Sequence, residues 1–211
     1  MKVYQETYEK LQKVYSAYGN QGDQYRTVFY DTATLATGVN QYNLFNSANG
    51  LNGVTKAQTN MESPAQMVKT CNFFVERIGF RLYAPSSAAP APVLTDIVHD
   101  FMTVCGSSNV VLNMSSKQNV GEWPLVTFLN TICLGVIEPI ATVGAAYVTS
   151  GSMASTWYTV GTFDAQTAIP LLEQDTFGFV INQWDTTTTV PATLNGFRLK
   201  MELEGIVQRL K

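Results

Sequence analysis

The C-terminal segment from Asn195 to Lys211 carries two hydrophobic patterns that predict different structures. Apolar and charged residues alternate from Phe197 to Glu204, which is the two-residue period of a strand with one buried face. From Leu199 onward, the apolar residues also fall at the spacing of an amphipathic helix. We predict a strand, because the sandwich described next needs this segment as its last strand and because Gly205 can mark a bulge that shifts the pattern. Its charged side chains would face water or a neighbouring subunit: Arg198, Lys200, Glu202 and Glu204.

The remaining pattern predicts that residues 23–211 form a single domain of eight strands. Short apolar segments are separated by turns rich in Gly, Pro and Ser, which is typical of an all-β sandwich or barrel. The predicted strands cover residues 25–35, 71–85, 109–115, 124–135, 140–149, 156–163, 174–184 and 195–209.

Two stretches between these strands have other predicted structures. Residues 95–106 are predicted to form one short helix, because Thr95 is a suitable N-cap, Asp96 lies in the first turn and Gly106 supplies a stop. Residues 36–69 are rich in Gly, Asn, Ser and Thr, and we predict a long ordered loop that contacts a neighbour.

The N-terminal residues 1–22 are predicted to form a helical arm. Five side chains recur at helical spacing and form one stripe, and Gly19 follows as a stop. The stripe consists of Tyr4, Tyr8, Leu11, Tyr15 and Tyr18. Tyr has a large apolar body and a polar tip, so the stripe suits an assembly interface with a neighbouring subunit or a lipid surface. Packing against the protein's own sandwich is the alternative.

The composition supports the all-β prediction. Charged residues make up 14% of the chain, against about 25% in typical soluble domains. Their place is taken by 24 Thr and 14 Asn, which favour strands and turns respectively. A surface with so few charges indicates that much of the exterior is covered by copies of the same chain.

Charge and targeting signals narrow the choice of partner and compartment. The net charge of −3 provides no general attraction to nucleic acid, so no specific nucleic-acid binding is expected. The polar N-terminus lacks the apolar core of a signal peptide, which predicts a cytosolic protein. The apolar run from Thr131 to Val148 is interrupted by Glu138 and Pro139, so we predict two core strands there and no membrane span.

The candidate catalytic and metal-binding residues do not support an enzyme, and no cofactor is expected. Cys71, Cys105 and Cys133 are odd in number and far apart, which predicts buried free thiols. His99 and Asp96 would share a helix face, but one His without a nearby Cys makes a poor zinc site. The chain contains neither a serine-nucleophile elbow nor a phosphate-binding glycine loop.

Two further groups of side chains can be interpreted either as structural or as a functional site. Glu202 and Glu204 point the same way from a strand that also carries basic residues, which predicts a solvated charged face and not a glycosidase pair. Trp157, Tyr158 and Trp184 could form a sugar-stacking platform, although core packing or subunit contact is the favoured interpretation.

The order of these elements resembles the jelly-roll major capsid proteins of tailless icosahedral DNA viruses, particularly membrane-containing phages. The segments that carry the resemblance cover nearly the whole chain: "FYDTATLATGVNQYNLF", "TNM", "FFVERIGFRLYAP", "SSNVVLNMSSKQNVGEWPL", "AIPLLEQDTFGFVINQW" and "LNGFRLKMELEGIVQRL". The resemblance implies two four-stranded sheets packed face to face, with the last strand between the first and the third. The chain differs from many of these proteins in length, since its 211 residues are enough for one jelly roll, whereas they carry two in tandem.

The resulting hypothesis is a capsid protein that assembles into capsomers and an icosahedral shell. Its expected partners are copies of itself, other virion proteins and an internal lipid membrane reached by the N-terminal arm, with assembly in the host cytoplasm. The alternative is a carbohydrate- or receptor-binding jelly-roll module, such as a spike or lectin-like domain. A cupin-like enzyme would need several metal ligands, and a single histidine argues against it.

Overall fold

The computed structural model describes residues 23–67, 69–83, 94–115, 117–129, 152–154, 157–162, 165, 167–173, 175–183 and 189–209. Several predicted features lie outside these residues: the N-terminal arm with Tyr4, Tyr8, Leu11, Tyr15 and Tyr18, the apolar run from Thr131 to Val148, the predicted strand 140–149, Cys133 and Trp184.

The described residues form ten strands, one α-helix and two short 3-10 helices. The strands are β1 (Gln24–Thr34), β2 (Gln41–Leu44), β3 (Cys71–Tyr83), β4 (Ser108–Met114), β5 (Lys117–Pro124), β6 (Ser152–Ala154), β7 (Tyr158–Thr159), β8 (Ile169–Leu171), β9 (Phe177–Gln183) and β10 (Arg198–Arg209). The helix α1 covers Leu94–Gly106, and the 3-10 helices cover Leu125–Leu129 and Ala192–Leu194. The fold is therefore an all-β sandwich with one helix in a connection, and the helix prediction is confirmed.

The ten strands pair into two antiparallel sheets. In the first, the order is β1-β10-β3, and β6, β7 and β8 each pair with a different part of β3. In the second, the order is β2-β9-β4-β5. The three short strands beside β3 thus occupy one strand position, so the described residues fill four positions in each sheet. The last strand, β10, lies between β1 and β3, which are the first and third strands of the chain. This is the position that the resemblance to jelly-roll capsid proteins implies.

The strand prediction for the C-terminal segment is confirmed, because its apolar residues point into the core on strict alternation. Leu199, Met201, Leu203 and Val207 are at most 2% exposed. They pack between the two sheets with inward residues of β3 and β9. The predicted shift of the pattern at Gly205 is wrong, because the alternation in β10 continues from Leu203 through Gly205 to Val207 without a change of phase.

The predicted bulge is present, but its extra residue lies in the neighbouring strand. Glu204 pairs with Arg77 and Gly205 pairs with Val75, so Glu76 of β3 has no partner position in β10. The backbone of β3 lies close to Gly205 at this point, since a Cβ atom on residue 205 would lie 1.9 Å from the carbonyl oxygen of Phe74. Only glycine allows this approach of the two backbones.

The predicted loop over residues 36–69 contains β2 and also covers the free edge of β1. The side-chain amide of Asn60 accepts a hydrogen bond from the N–H of Tyr30 and donates one to the carbonyl of Val28, both at 2.8 Å. The hydroxyl of Thr59 donates to the carbonyl of Tyr30 at 2.9 Å. The loop therefore takes the place of a neighbouring strand, which protects this edge from unspecific pairing.

Several other predictions were wrong, and those that missed a strand failed because pairing with a neighbouring strand outweighed local sequence signals. Residues 117–124 were predicted to form a turn and instead form β5, which pairs with β4. The segment from Leu125 to Leu129, predicted as the start of a strand, is a 3-10 helix. Ser152–Ala154 lies in a predicted break and forms β6 against β3. Six of the eight predicted strands correspond to strands of the described residues, namely β1, β3, β4, β7, β9 and β10, whereas β2, β5, β6 and β8 lie in predicted loops or breaks.

Asp31 of β1 is a buried carboxylate that pairs with Met201 of β10. It is 5% exposed, and the backbone N–H of Phe45, a residue with a φ of 67°, donates a hydrogen bond to it. Burial raises the pKa of Asp31, and hydrogen bonds from the backbone of Phe45 and Thr32 offset part of that rise.

We expect Asp31 to make the protein less stable as the pH rises. Because its pKa is higher in the folded than in the unfolded state, the unfolded state ionises first. The free energy of unfolding therefore begins to fall when the pH exceeds about 4, the ordinary pKa of an Asp side chain. It stops falling once the pH exceeds the raised pKa of the folded state. Urea unfolding from pH 3 to pH 8 should show a smaller fall for Asp31→Asn than for the wild type. Asp23→Asn, at an exposed residue, is the control, and equal pH profiles for wild type and Asp31→Asn would contradict this assignment.

Candidate assembly surface

The outer face of the first sheet carries charged side chains from its three long strands. On β10, the outward residues are those that alternate with the core positions. The outward residues of β1 and β3 are their neighbours across the strands. We call this set the charged patch: Arg26, Glu76, Arg77, Arg81, Lys200, Glu202 and Glu204.

One half of the charged patch is built around the bulge in β3. Val75 and Ile78 both point into the core, so two residues lie between them instead of one. These two residues, Glu76 and Arg77, join the same ion-pair network. Arg26 bridges the carboxylates of Glu76 and Glu204, at 2.8 and 3.2 Å. Arg77 approaches Glu204 to 3.7 Å from the other side.

The other half of the charged patch surrounds Glu202. The Nε of Arg81 donates a hydrogen bond to its carboxylate at 2.9 Å, and Nζ of Lys200 lies 3.4 Å away. Lys200 also lies 3.7 Å from the ring centroid of Tyr30, which stabilises a cation by its quadrupole. Burial lowers the pKa of the Arg81 guanidinium, but the charge and hydrogen bond of Glu202 outweigh this, and the pKa is raised overall.

The carboxylates of the charged patch lie deep and the guanidinium groups lie outside. The side chains of Glu76 and Glu202 are 7% and 9% exposed, whereas those of Arg26 and Arg77 are 54% and 45% exposed. The prediction that Glu202 and Glu204 form a solvated face is therefore wrong for Glu202, whose charge is neutralised by cations that cover it. What the patch presents to an approaching surface is mainly arginine, a residue suited to bidentate contacts with carboxylates.

One end of this outer face is buried. Asn72, Phe74 and Gln208 are at most 3% exposed, although they alternate with the core positions of their strands. The accessible part of the face therefore lies around Arg26, Arg77 and Arg81, whose side chains are 54%, 45% and 41% exposed.

The outer face of the second sheet has a different chemistry. Gln41, Asn182 and Asn109 form one row across β2, β9 and β4, and Asn43, Val180 and Val111 form the next. The second of these rows continues into β5 with the exposed Glu122, which pairs with Val111 and accepts a hydrogen bond from Nδ2 of Asn109. The sandwich thus presents a network of ion-paired side chains on one side and a mainly amide face, with Glu122 on its edge strand, on the other.

Trp157 and Tyr158 do not form a common platform. The ring of Trp157 lies against Gly79 on the outer face of β3, where a Cβ atom on residue 79 would lie 3.1 Å from it. Tyr158 packs against the core, with its ring centroid 5.3 Å from that of Phe128. Both contacts agree with the favoured interpretation of packing, and Trp184 lies outside the described residues.

The other candidate residues are separated in the structure. His99 and Asp96 are exposed on α1, and in the part of the chain that is described no three His, Cys, Asp or Glu side chains are grouped as metal ligands. Cys71 and Cys105 are buried free thiols, as predicted, and burial raises the pKa of Cys105. No helix among the described residues is long and apolar enough to span a membrane.

Sequence reasoning identified the β10 members of the charged patch but missed those of β1 and β3. Arg26, Glu76, Arg77 and Arg81 come from segments that only pairing brings beside β10. One signal for the bulge is present in the sequence, because the apolar alternation in "FFVERIGF" changes phase between Val75 and Ile78.

Comparisons with known proteins identify no family for this chain. No protein-family model matches it, and no curated protein matches it. Among solved structures it is similar to a chain described as "nora virus structure", with a TM-score of 0.30, 6% identity, and coverage of 90% of this chain and 61% of that one. A second is described as "Crystal structure of decameric BFDV Capsid Protein", with a TM-score of 0.21, 8% identity, and coverage of 90% and 100%. The chain thus spans 61% of the length of the Nora virus chain, and both TM-scores are too low to identify its fold or its function.

Proposed function

We propose that this chain is a jelly-roll capsid protein that builds a virion shell from copies of itself. The observation that supports the proposal is the strand order. When β6, β7 and β8 are counted as one interrupted strand, each sheet has four positions, and β10 lies between β1 and β3. The chain changes sheet between β1 and β2, between β2 and β3, and between β3 and β4. This interleaving of two antiparallel sheets supports the proposal of a double-sheet jelly roll.

The proposed mechanism is geometric and involves no catalytic step. A rigid sandwich repeats the same contacts in a closed lattice when one surface of a copy fits a different surface of the next. The two outer faces provide such different surfaces, since one presents Arg77 and Arg81 and the other presents uncharged side chains such as Gln41 and Asn43. The N-terminal arm, with Tyr4, Tyr8, Leu11, Tyr15 and Tyr18, is proposed as a further contact with a neighbouring subunit, another virion protein or an internal membrane.

Assembly of the purified chain is the direct test of this proposal. We expect size-exclusion chromatography with light scattering to detect trimers, pentamers, hexamers or larger shells, and electron microscopy to show closed particles at high concentration. Removing residues 1–18 should weaken assembly more than it lowers the free energy of unfolding. A chain that remains monomeric at high concentration would contradict the capsid function. Equal losses of assembly and stability would instead assign the Tyr stripe to packing within one subunit.

A further inference from the structure

A small cavity lies inside the sandwich where β4, β9 and α1 meet. Phe101 and Val104 of α1 line it on one side, and Leu125 lies on another. Its polar lining includes Ser108, the first residue of β4, and Gln183, the last residue of β9. Ser108 and Gln183 are opposite each other in the register of the two strands, so their side chains lie on the same side of the sheet.

Gln183 has an unsatisfied side chain in this cavity. The residue is 9% exposed, and neither Nε2 nor Oε1 has a hydrogen-bond partner among the described protein groups. Its backbone N–H donates to the carbonyl of Asn40 at 3.0 Å, so this group has a partner, unlike the side-chain amide. A buried amide that has lost its hydrogen bonds to water and gained none from the protein destabilises the fold, so such groups are rare in folded proteins.

Other polar atoms around the cavity have capacity left for a ligand. The hydroxyl of Ser108 donates its proton to the carbonyl of Val104 at 2.5 Å, which leaves a lone pair on its oxygen. The hydroxyl of Tyr42 also lines the cavity, and it exchanges hydrogen bonds with the backbone of Ala36 at 3.0 and 3.2 Å.

The size of the cavity limits what it can hold. Its volume is about 10 Å³, close to the minimum of about 10–15 Å³ that accommodates a single water molecule. An organic ligand does not fit this volume. Small cavities lined only by apolar groups stay dry, whereas those with two or more polar partners hold ordered water.

We propose that this cavity is a binding site for one structural water molecule. The water accepts a hydrogen bond from the Gln183 amide and donates to a neighbouring oxygen, with Ser108 as the partner across the two strands. It thereby links the end of β9 to the start of β4 beneath α1. Asn40, which also lines the cavity, is exposed, so exchange with solvent has a short path.

Two measurements on the wild-type protein test the proposal. In a crystal structure at high resolution, we expect a density peak at 2.7–3.2 Å from an amide atom of Gln183. In solution, nuclear Overhauser spectra should show a cross-peak between water and the side-chain amide protons of Gln183. Its sign should be that of a water molecule that stays bound for a long time. A dry cavity, with neither the peak nor the cross-peak, overturns the proposal.

Variants provide a count of bound water. Gln183→Leu removes the amide while keeping a side chain of similar size, and oxygen-17 relaxation dispersion should then detect one long-lived water fewer. Gln41→Leu, at an exposed glutamine of β2, is the matched control and should leave the count unchanged. An unchanged count in Gln183→Leu also overturns the proposal. If Gln183→Leu does not fold, the wild-type measurements decide the question without it.

Discussion

Replacing Gly205 with alanine is expected to destabilise the protein by about 3 kcal/mol or more, and to reduce the yield of folded chain. The added Cβ would lie 1.9 Å from the carbonyl oxygen of Phe74, 2.8 Å from its carbonyl carbon and 3.0 Å from Cα of Val75. All three are backbone atoms of β3, which is hydrogen-bonded on both sides. The clash therefore cannot be relieved by a rotamer change and must distort the pairing of two central strands. Urea unfolding of the purified variant measures the loss.

The cause of this loss can be separated from a general effect of alanine. Gly106→Ala is the matched control, because no atom lies within 4 Å of the new Cβ, and its free energy of unfolding should change by less than about 1 kcal/mol. Deleting Glu76 removes the extra residue of the bulge and restores regular alternation between Val75 and Ile78. In that shortened background Gly205→Ala should cost less, and an equal cost in both backgrounds would show that the bulge is not the reason.

Replacing Phe179 with alanine should lower the free energy of unfolding by about 3–5 kcal/mol. Phe179 is fully buried at the centre of the second sheet, and its ring centroid lies 5.7 Å from that of Phe45. Its cross-strand partners are Leu44 and Leu112, both of them core residues. Truncation leaves a cavity between the two sheets that these neighbours cannot fill, because strand pairing holds their backbones in place. Urea or thermal unfolding measures the effect.

Val180, the next residue in β9, provides a control for the assignment of inner and outer faces in this strand. Val180 points to the outer face of the same strand, and Val180→Ala should cost about 1 kcal/mol or less. Phe179→Leu should recover more than half of the loss, since it restores most of the apolar volume. If Val180→Ala were as damaging as Phe179→Ala, the assignment of inner and outer faces in β9 would be wrong.

The hydrophobic pattern was sufficient to locate most long elements of the fold. It placed β1, β3, β4, β9 and β10 to within two or three residues, because an alternating strand with one buried face has a period that depends on its own residues only. It also located α1, whose capping signals are local. It failed for β5, where "KQNVGEWP" carries turn signals and becomes a strand through pairing with β4.

The candidate site was less predictable than the fold. Lys200, Glu202 and Glu204 were identified as an outward charged row, since alternation assigns them to one face of β10. Their burial was not predicted, because it depends on cations from β1 and β3. Arg26 lies 178 residues from Glu204, and Arg81 lies 121 residues from Glu202. No local pattern contains information on contacts of that separation.

The strand formed by "NGFRLKMELEGIVQRLK" illustrates what the sequence determined by itself and what it left to the tertiary structure. The sequence alone determined that Leu199, Met201 and Leu203 face the core, and it marked Gly205 as a point of irregularity. Only the tertiary structure decided that the strand lies between β1 and β3 and that the bulged residue is Glu76 of β3. The physical reason is that periodicity shows which residues of a strand lie on its buried face. Which strands become its neighbours depends instead on the combined fit of backbones and side chains from distant segments.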